Sequence, residues 1–189
     1  ATNPVSVVPR ILDVYEEQID LDAHQETLGR EGYDVLAPTD PAAALGELQK
    51  NAFAVIVTDQ RMPTLTGLEL LAQARQVQPD ATRILITAVL NLDTVIEAIN
   101  KGEIYRFIVK PWLREELLVT VKNAAQRFEL IRQNGRLQTS TQAMNAQLVD
   151  LNRSLEQQVK LVAQQNQQLG RMNLELEQNL LRSMELCLH

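Results

Sequence analysis

Five short apolar runs, each followed by a stretch with helical spacing, limit what the first two thirds of this chain can fold into. The runs are 10–14, 33–37, 53–58, 83–87 and 105–109; the helical stretches are 17–31, 41–50, 66–77, 91–101 and one opening near Leu113. Phe53-Ala54-Val55-Ile56-Val57-Thr58 shows no polar alternation, as expected of a strand covered on both faces. Strands separated by helical patterns of roughly 10–15 residues make βαβ units and a parallel sheet. Right-handed crossovers then set helices on both faces, which gives a doubly wound α/β sheet. Gly32, Gly102 and the Pro79-Asp80 pair supply the stop signals between elements.

A different pattern takes over after Glu129. Pro, Trp, Tyr and Phe vanish, and Gln, Asn and Leu dominate. Such composition alone suits disorder, but the apolar spacing is that of a coiled coil. The a positions read Asn134, Thr141, Leu148, Leu155, Val162, Leu169 and Leu176; the d positions read Leu130, Leu137, Met144, Leu151, Gln158, Gln165 and Met172. Ten of these fourteen are apolar, enough to make a helical seam. Asn134 at an a position favours a parallel two-stranded register, so a homodimer is expected. Gln158 and Gln165 loosen successive layers, and Gly135 and Gly170 each weaken the helix by about 1 kcal/mol. No proline interrupts the chain from Leu113 onward, so the fifth helix is predicted to run straight into the coil. The predicted division is 8–129 for the α/β domain and 130–189 for the coiled coil. The apolar end at Leu180, Leu181, Met184, Leu186 and Leu188 suggests packing against a further, output domain.

Sites in doubly wound sheets form at the carboxyl ends of the strands. Three strand ends here carry chemistry. Asp59 closes the third run, Thr87-Ala88 closes the fourth, and Lys110-Pro111 closes the fifth. A carboxylate, a hydroxyl and an ammonium at one sheet edge are the inventory for covalent capture of a phosphoryl group. Asp59 would attack phosphorus, and Thr87 and Lys110 would hold the equatorial oxygens and offset their charge.

At these residues the chain resembles the receiver domain of bacterial two-component response regulators. Asp59-x-x-Met62-Pro63-x-x-x-Gly67, Thr87-Ala88 and Lys110-Pro111 fall in that family's order, over roughly residues 8 to 130. The resemblance implies a flavodoxin-like sheet with strand order 2-1-3-4-5. It also implies Asp59 as phosphoacceptor, Thr87 as switch hydroxyl, Lys110 as phosphate-binding lysine and Phe107 as switch aromatic. A sensor histidine kinase or phosphotransfer protein would be the phosphodonor. The stretch from Gly102 to Trp112 looks like receivers that often precede HD-GYP cyclic-dinucleotide phosphodiesterase or other enzymatic outputs. The receiver itself would be a switch and not an enzyme, with two alternatives: an unphosphorylated scaffold, or the regulatory fragment of such a phosphodiesterase.

The family pattern is altered at the end of the first strand. Receivers carry two adjacent acids there that help bind Mg²⁺, whereas this chain reads Tyr15-Glu16, followed by Glu17. Glu16, Asp59 and the backbone carbonyl of Arg61 remain as expected ligands, and weakened Mg²⁺ binding is the expectation. Asp13 is a further oddity, since a central strand would bury an apolar side chain there. It is expected either to pair locally or to stand beside the metal as an extra acid. His24 reads as a surface residue of the first helix, away from the site. Tyr105 and Trp112 read as packing residues.

Composition excludes several other classes. A net charge of −6 and a pI near 5.0 argue against a nucleic-acid surface. One cysteine, Cys187, leaves no intramolecular disulfide, and with His24 and His189 it makes no zinc-ligand spacing. No apolar run approaches the ~20 residues of a membrane span. No signal peptide is visible, and a cytoplasmic location is expected.

Overall fold

The computed structural model describes residues 8–88 and 92–188. The predicted start of the fourth helix at Asn91, and His189 at the end of the predicted coil, lie outside the described residues. The elements are β1 Arg10–Val14, α1 Gln18–Arg30, β2 Asp34–Leu36, α2 Pro41–Lys50, β3 Val55–Asp59, α3 Gly67–Val77, β4 Thr82–Thr87, α4 Leu92–Asn100, β5 Arg106–Val109 and α5 Arg114–Cys187. All pairings are parallel, and the strand order is β2-β1-β3-β4-β5. Two compact units divide the chain, Ala1–Gly135 and Arg136–His189.

Side-chain alternation along the central strands sorts the core into two layers. Leu12, Val14, Ile56 and Leu85 face one way and pack with Leu70, Leu71 and Ala74 of α3, Ala44 and Leu48 of α2, and Val95 of α4. Ile11, Val57, Ile84, Ile86 and Ile108 face the other way, against Leu21 and Leu28 of α1 and Leu117, Val121 and Ala124 of α5. The helices that cover the sheet have local start signals. Asp40 accepts from the Ala42 amide at 3.1 Å with Pro41 at the first helical position, and Thr66 and Glu69 form a reciprocal capping box.

Two buried polar side chains shape the fold, and the sequence pattern disguises both. Arg83 lies inside β4 and donates from Nε to the Glu103 carbonyl at 2.7 Å, from Nη1 to Ala81 at 3.1 Å and from Nη2 to Gly102 at 3.0 Å. It thereby ties the turn before β5 to the sheet. Burial, then the nearby charges of Arg75 and Arg127, lowers its pKa from the ordinary arginine value. The other is His24, which corrects the expectation of a surface histidine. It is fully buried, on the α1 face shared with Leu21 and Leu28, and its Nδ1 lies 2.9 Å from Asp13 Oδ2. Helical spacing explains the placement, because positions 21, 24 and 28 fall on one stripe. Asp13 therefore pairs locally, in the layer beneath α1. Burial pushes its carboxyl up, while the His24 contact acts in the opposite sense.

Gly67 opens α3 against the end of β3. A Cβ there would overlap the Asp59 carbonyl oxygen and stand 2.7 Å from Leu85 Cδ1. The first obstacle is backbone and cannot swing aside, so only glycine lets the helix start this close to the strand.

Both features predict losses of stability. Every aromatic residue lies at or before Phe128, so near-ultraviolet circular dichroism follows the first unit alone. Under urea, Gly67→Ala should lose about 2–3 kcal/mol by overpacking. His24→Ala should lose about 3–5 kcal/mol, because it strands a buried carboxyl group. Unchanged midpoints would contradict these packing assignments.

Candidate functional site

Parallel register brings the carboxyl ends of β3, β4 and β5 to one edge. Asp59 pairs with Ile86, and Thr87 pairs with Val109. Past the last rungs, the Gln60 amide donates to the Ile86 carbonyl at 2.9 Å, and the Lys110 amide donates to the Thr87 carbonyl at 2.9 Å. These bonds hold the three strand ends level, so the side chains that follow converge.

The Lys110 ammonium lies 2.7 Å from Asp59 Oδ2. Asp59 is 5% exposed, while the Lys110 side chain is one-third open to solvent. The other carboxylate oxygen, Oδ1, receives among the described residues only a long 3.4 Å contact from the Arg61 amide. Thr87 donates its hydroxyl to the Ala88 carbonyl at 3.0 Å. A cavity of about 130 Å³ is lined by Asp59, Gln60, Arg61, Leu68, Thr87, Ala88, Thr94, Val95 and Lys110. The structure thus brings the predicted carboxylate, hydroxyl and ammonium to one cavity. Phe107, which pairs with Leu85 across β4 and β5, is half-buried against the α3–α4 core layer.

The expected metal ligands are not all gathered. Glu16 is exposed on the loop after β1, and Asp13 is turned to His24. Among the described residues no three of His, Cys, Asp or Glu cluster closely enough to cage a metal ion. Mg²⁺ needs no such cage, since it keeps several waters and takes one or two carboxylates. Asp59 Oδ1, with lone pairs little used, fits that sparse donor set.

Sequence reasoning missed two residues beside the site. Thr94 of α4 lines the cavity, and no motif marks it. Tyr15, treated only as a missing acid, stands one residue past β1 and is 1% exposed. Its ring centroid lies 5.1 Å from the Lys110 ammonium, and its hydroxyl makes no hydrogen bond among the described residues. Burial, then the negative charges of Asp59, Asp13 and Asp20, pushes the phenol well above its ordinary range, so it is neutral at physiological pH. The ring also packs nearly perpendicular to the His24 imidazole, with centroids 4.7 Å apart, and His24 in turn meets Trp112 at 4.5 Å.

Comparison with known proteins agrees with this arrangement. The profile of the response regulator receiver domain family matches residues 11–122. The hydrogenase transcriptional regulatory protein HoxA of Cupriavidus necator is 34% identical over 135 residues, which cover 69% of this chain and 28% of HoxA. The signal receiver domain of an HD domain-containing protein from Pseudomonas fluorescens Pf-5 superposes with a TM-score of 0.65. That match has 32% identity and covers 70% of this chain and 97% of the other. A structure described as adenylate cyclase from Rhodopirellula baltica superposes with a TM-score of 0.67 at 26% identity, covering 69% of this chain and 97% of that one. The chain spans less than a third of the length of the curated relatives it matches. A profile match over more than half of the chain, joined to this strand order, makes it a member of the response regulator receiver family of two-component signalling.

Proposed function

We propose that Asp59 accepts a phosphoryl group from a histidine kinase or phosphotransfer protein, and that α5 carries the resulting state to an output domain through a parallel homodimer. The observation that carries this reading is the Lys110–Asp59 pair on a cavity shared with Thr87.

In the transfer step an Asp59 carboxylate oxygen attacks phosphorus. The P–N bond to the donor histidine breaks, and its electron pair stays on the imidazole. Charge builds on the three equatorial oxygens, where the Lys110 ammonium already stands and where the Thr87 hydroxyl can donate once it leaves the Ala88 carbonyl. Lys110 has three N–H donors and uses one on Asp59, so it can serve a phosphoryl oxygen without leaving the edge. Asp59 and the Arg61 carbonyl would hold Mg²⁺, with Glu16 from its exposed position after β1 as the remaining acid, and the ion would offset phosphoryl charge. Thr87 then turns toward the new charge, and Phe107 shifts in the space it leaves.

Dimerisation is supported by the second unit. Its apolar heptad residues from Leu137 to Leu176, together with Leu130, are each between 50% and 65% exposed in the single chain. A stripe of that length, repeating every seven residues, is a seam for a second copy. The output is a separate matter. Relatives include transcriptional regulators, and structural neighbours include a receiver from an HD-domain protein, so an enzymatic output such as a cyclic-dinucleotide phosphodiesterase fits this receiver as well. Among the described residues no helix is long and apolar enough to cross a membrane. We place the chain in the cytoplasm, where kinases of this system hold their phosphohistidine.

A second reading, a receiver that is never phosphorylated and serves as a dimeric scaffold, draws on Tyr15 in place of an acid and on the exposed position of Glu16. One experiment separates the two. With Mg²⁺ and acetyl phosphate, intact-mass spectrometry should show a gain of one phosphoryl group. The gain should be lost in Asp59→Asn and slowed at least about tenfold when Mg²⁺ is chelated. No gain in the unaltered chain would favour the scaffold. For the dimer, sedimentation equilibrium should return twice the 21.3 kDa chain mass. Replacing Leu148 and Leu155 with Gln should return the monomer. A monomeric unaltered chain would remove the seam from the account.

A further inference from the structure

We propose that Tyr15 is a positioning residue for phosphoryl transfer, using the face of its ring to hold the Lys110 ammonium against Asp59. The inference deepens the proposed phosphorylation of Asp59 and rests on it.

Three observations point to the ring and not the hydroxyl. The Tyr15 hydroxyl is buried and has no hydrogen-bond partner among the described residues, so it contributes nothing polar that the site uses. The Lys110 ammonium instead stands over the ring, 5.1 Å from its centroid, while donating to Asp59 Oδ2 at 2.7 Å. The ring itself has little freedom. It is buried in the α1–α5 core layer and packs edge-on with His24, which is held by the 2.9 Å bond to Asp13 and by the Trp112 indole. A buried histidine and a buried aspartate, otherwise unexplained in this layer, thereby become the support of a residue at the site.

The physical need is plain. Lysine is a point charge on a flexible stem, and a one-third-exposed ammonium samples many rotamers unless something restrains it. An aromatic face attracts a cation through its quadrupole and carries no net charge. A carboxylate at the same place would compete with Asp59 for the ammonium. The ring steadies Lys110 without drawing it off the phosphoacceptor.

The contact is tested by changing the quadrupole while keeping the shape. Phenylalanine and a series of phenylalanines with one to five ring fluorines replace Tyr15 in the full chain. Phosphorylation by acetyl phosphate with saturating Mg²⁺ is followed by mass, and the thermal midpoint is followed by near-ultraviolet circular dichroism. Tyr15→Phe should keep the rate within about twofold, and its midpoint should not fall, because it removes an unpartnered buried hydroxyl. Successive fluorination should slow labelling stepwise to about fivefold, the size of a partly desolvated cation–π contact, with the midpoint little changed. The one- and two-fluorine variants are nearly isosteric with phenylalanine, and they carry the trend if the more substituted ones melt early. Equal rates across the series overturn the role of the ring. An unaltered chain that never labels overturns the phosphorylation reading beneath it, so the two failures are told apart.

Discussion

The ion pair between Lys110 and Asp59 is where the fold and the chemistry meet. Its partners come from strands that are not neighbours, since β4 lies between β3 and β5. The 2.7 Å contact therefore depends on the whole parallel register. A slip of one residue in either pairing would turn one side chain to the opposite layer. The apolar content of β3 and β4, buried on both faces, guards against that slip. Gly67 belongs to the same constraint, because α3 must start almost on top of the Asp59 carbonyl for the loop between them to leave the carboxylate facing the cavity.

Around this pair the charges are asymmetric. Asp13, Asp20 and Asp59 all act on the Tyr15 phenol, and each opposes its ionisation. A neutral ring among carboxylates is a stable arrangement only because it offers no charge of its own. Burial, with a smaller contribution from Asp20, pushes the Asp13 carboxyl up, and the His24 contact beside it acts in the opposite sense. The layer under α1 thus holds a polar cluster in an otherwise apolar interior, and its members lean on one another more than on solvent.

Much of the architecture was legible from the order of elements. The five strands and their helices fall within a few residues of the predicted bounds, because unbroken apolar runs and Gly or Pro stops are local signals. The apolar run stops at Thr58, whereas β3 extends one residue further to include Asp59, which pairs with Ile86, since register is set by the neighbouring strand and not by apolarity. His24 was misread because one imidazole between Leu21 and Leu28 looks like a polar interruption. The signal was there in two halves, an aspartate where β1 should be apolar and a histidine on the helix stripe above it. The ring of Tyr15 was out of reach, because a contact between residues 15 and 110 leaves no trace in spacing. The heptads of α5 were legible as a pattern, and the fold adds that the helix opening at Arg114 continues unbroken to Cys187.

Trp112 gives the molecule an optical property of its own. It is the chain's only indole; it packs edge-on to His24 and borders a hollow shared with Lys110, Tyr15 and Asp20. Its indole stands a few side chains from the Asp59 carboxylate, and the long helix that opens at Arg114 contains no tryptophan to add background. An event that moves the lysine or the imidazole changes the surroundings of that indole, so the protein carries its own optical reporter of the strand edge.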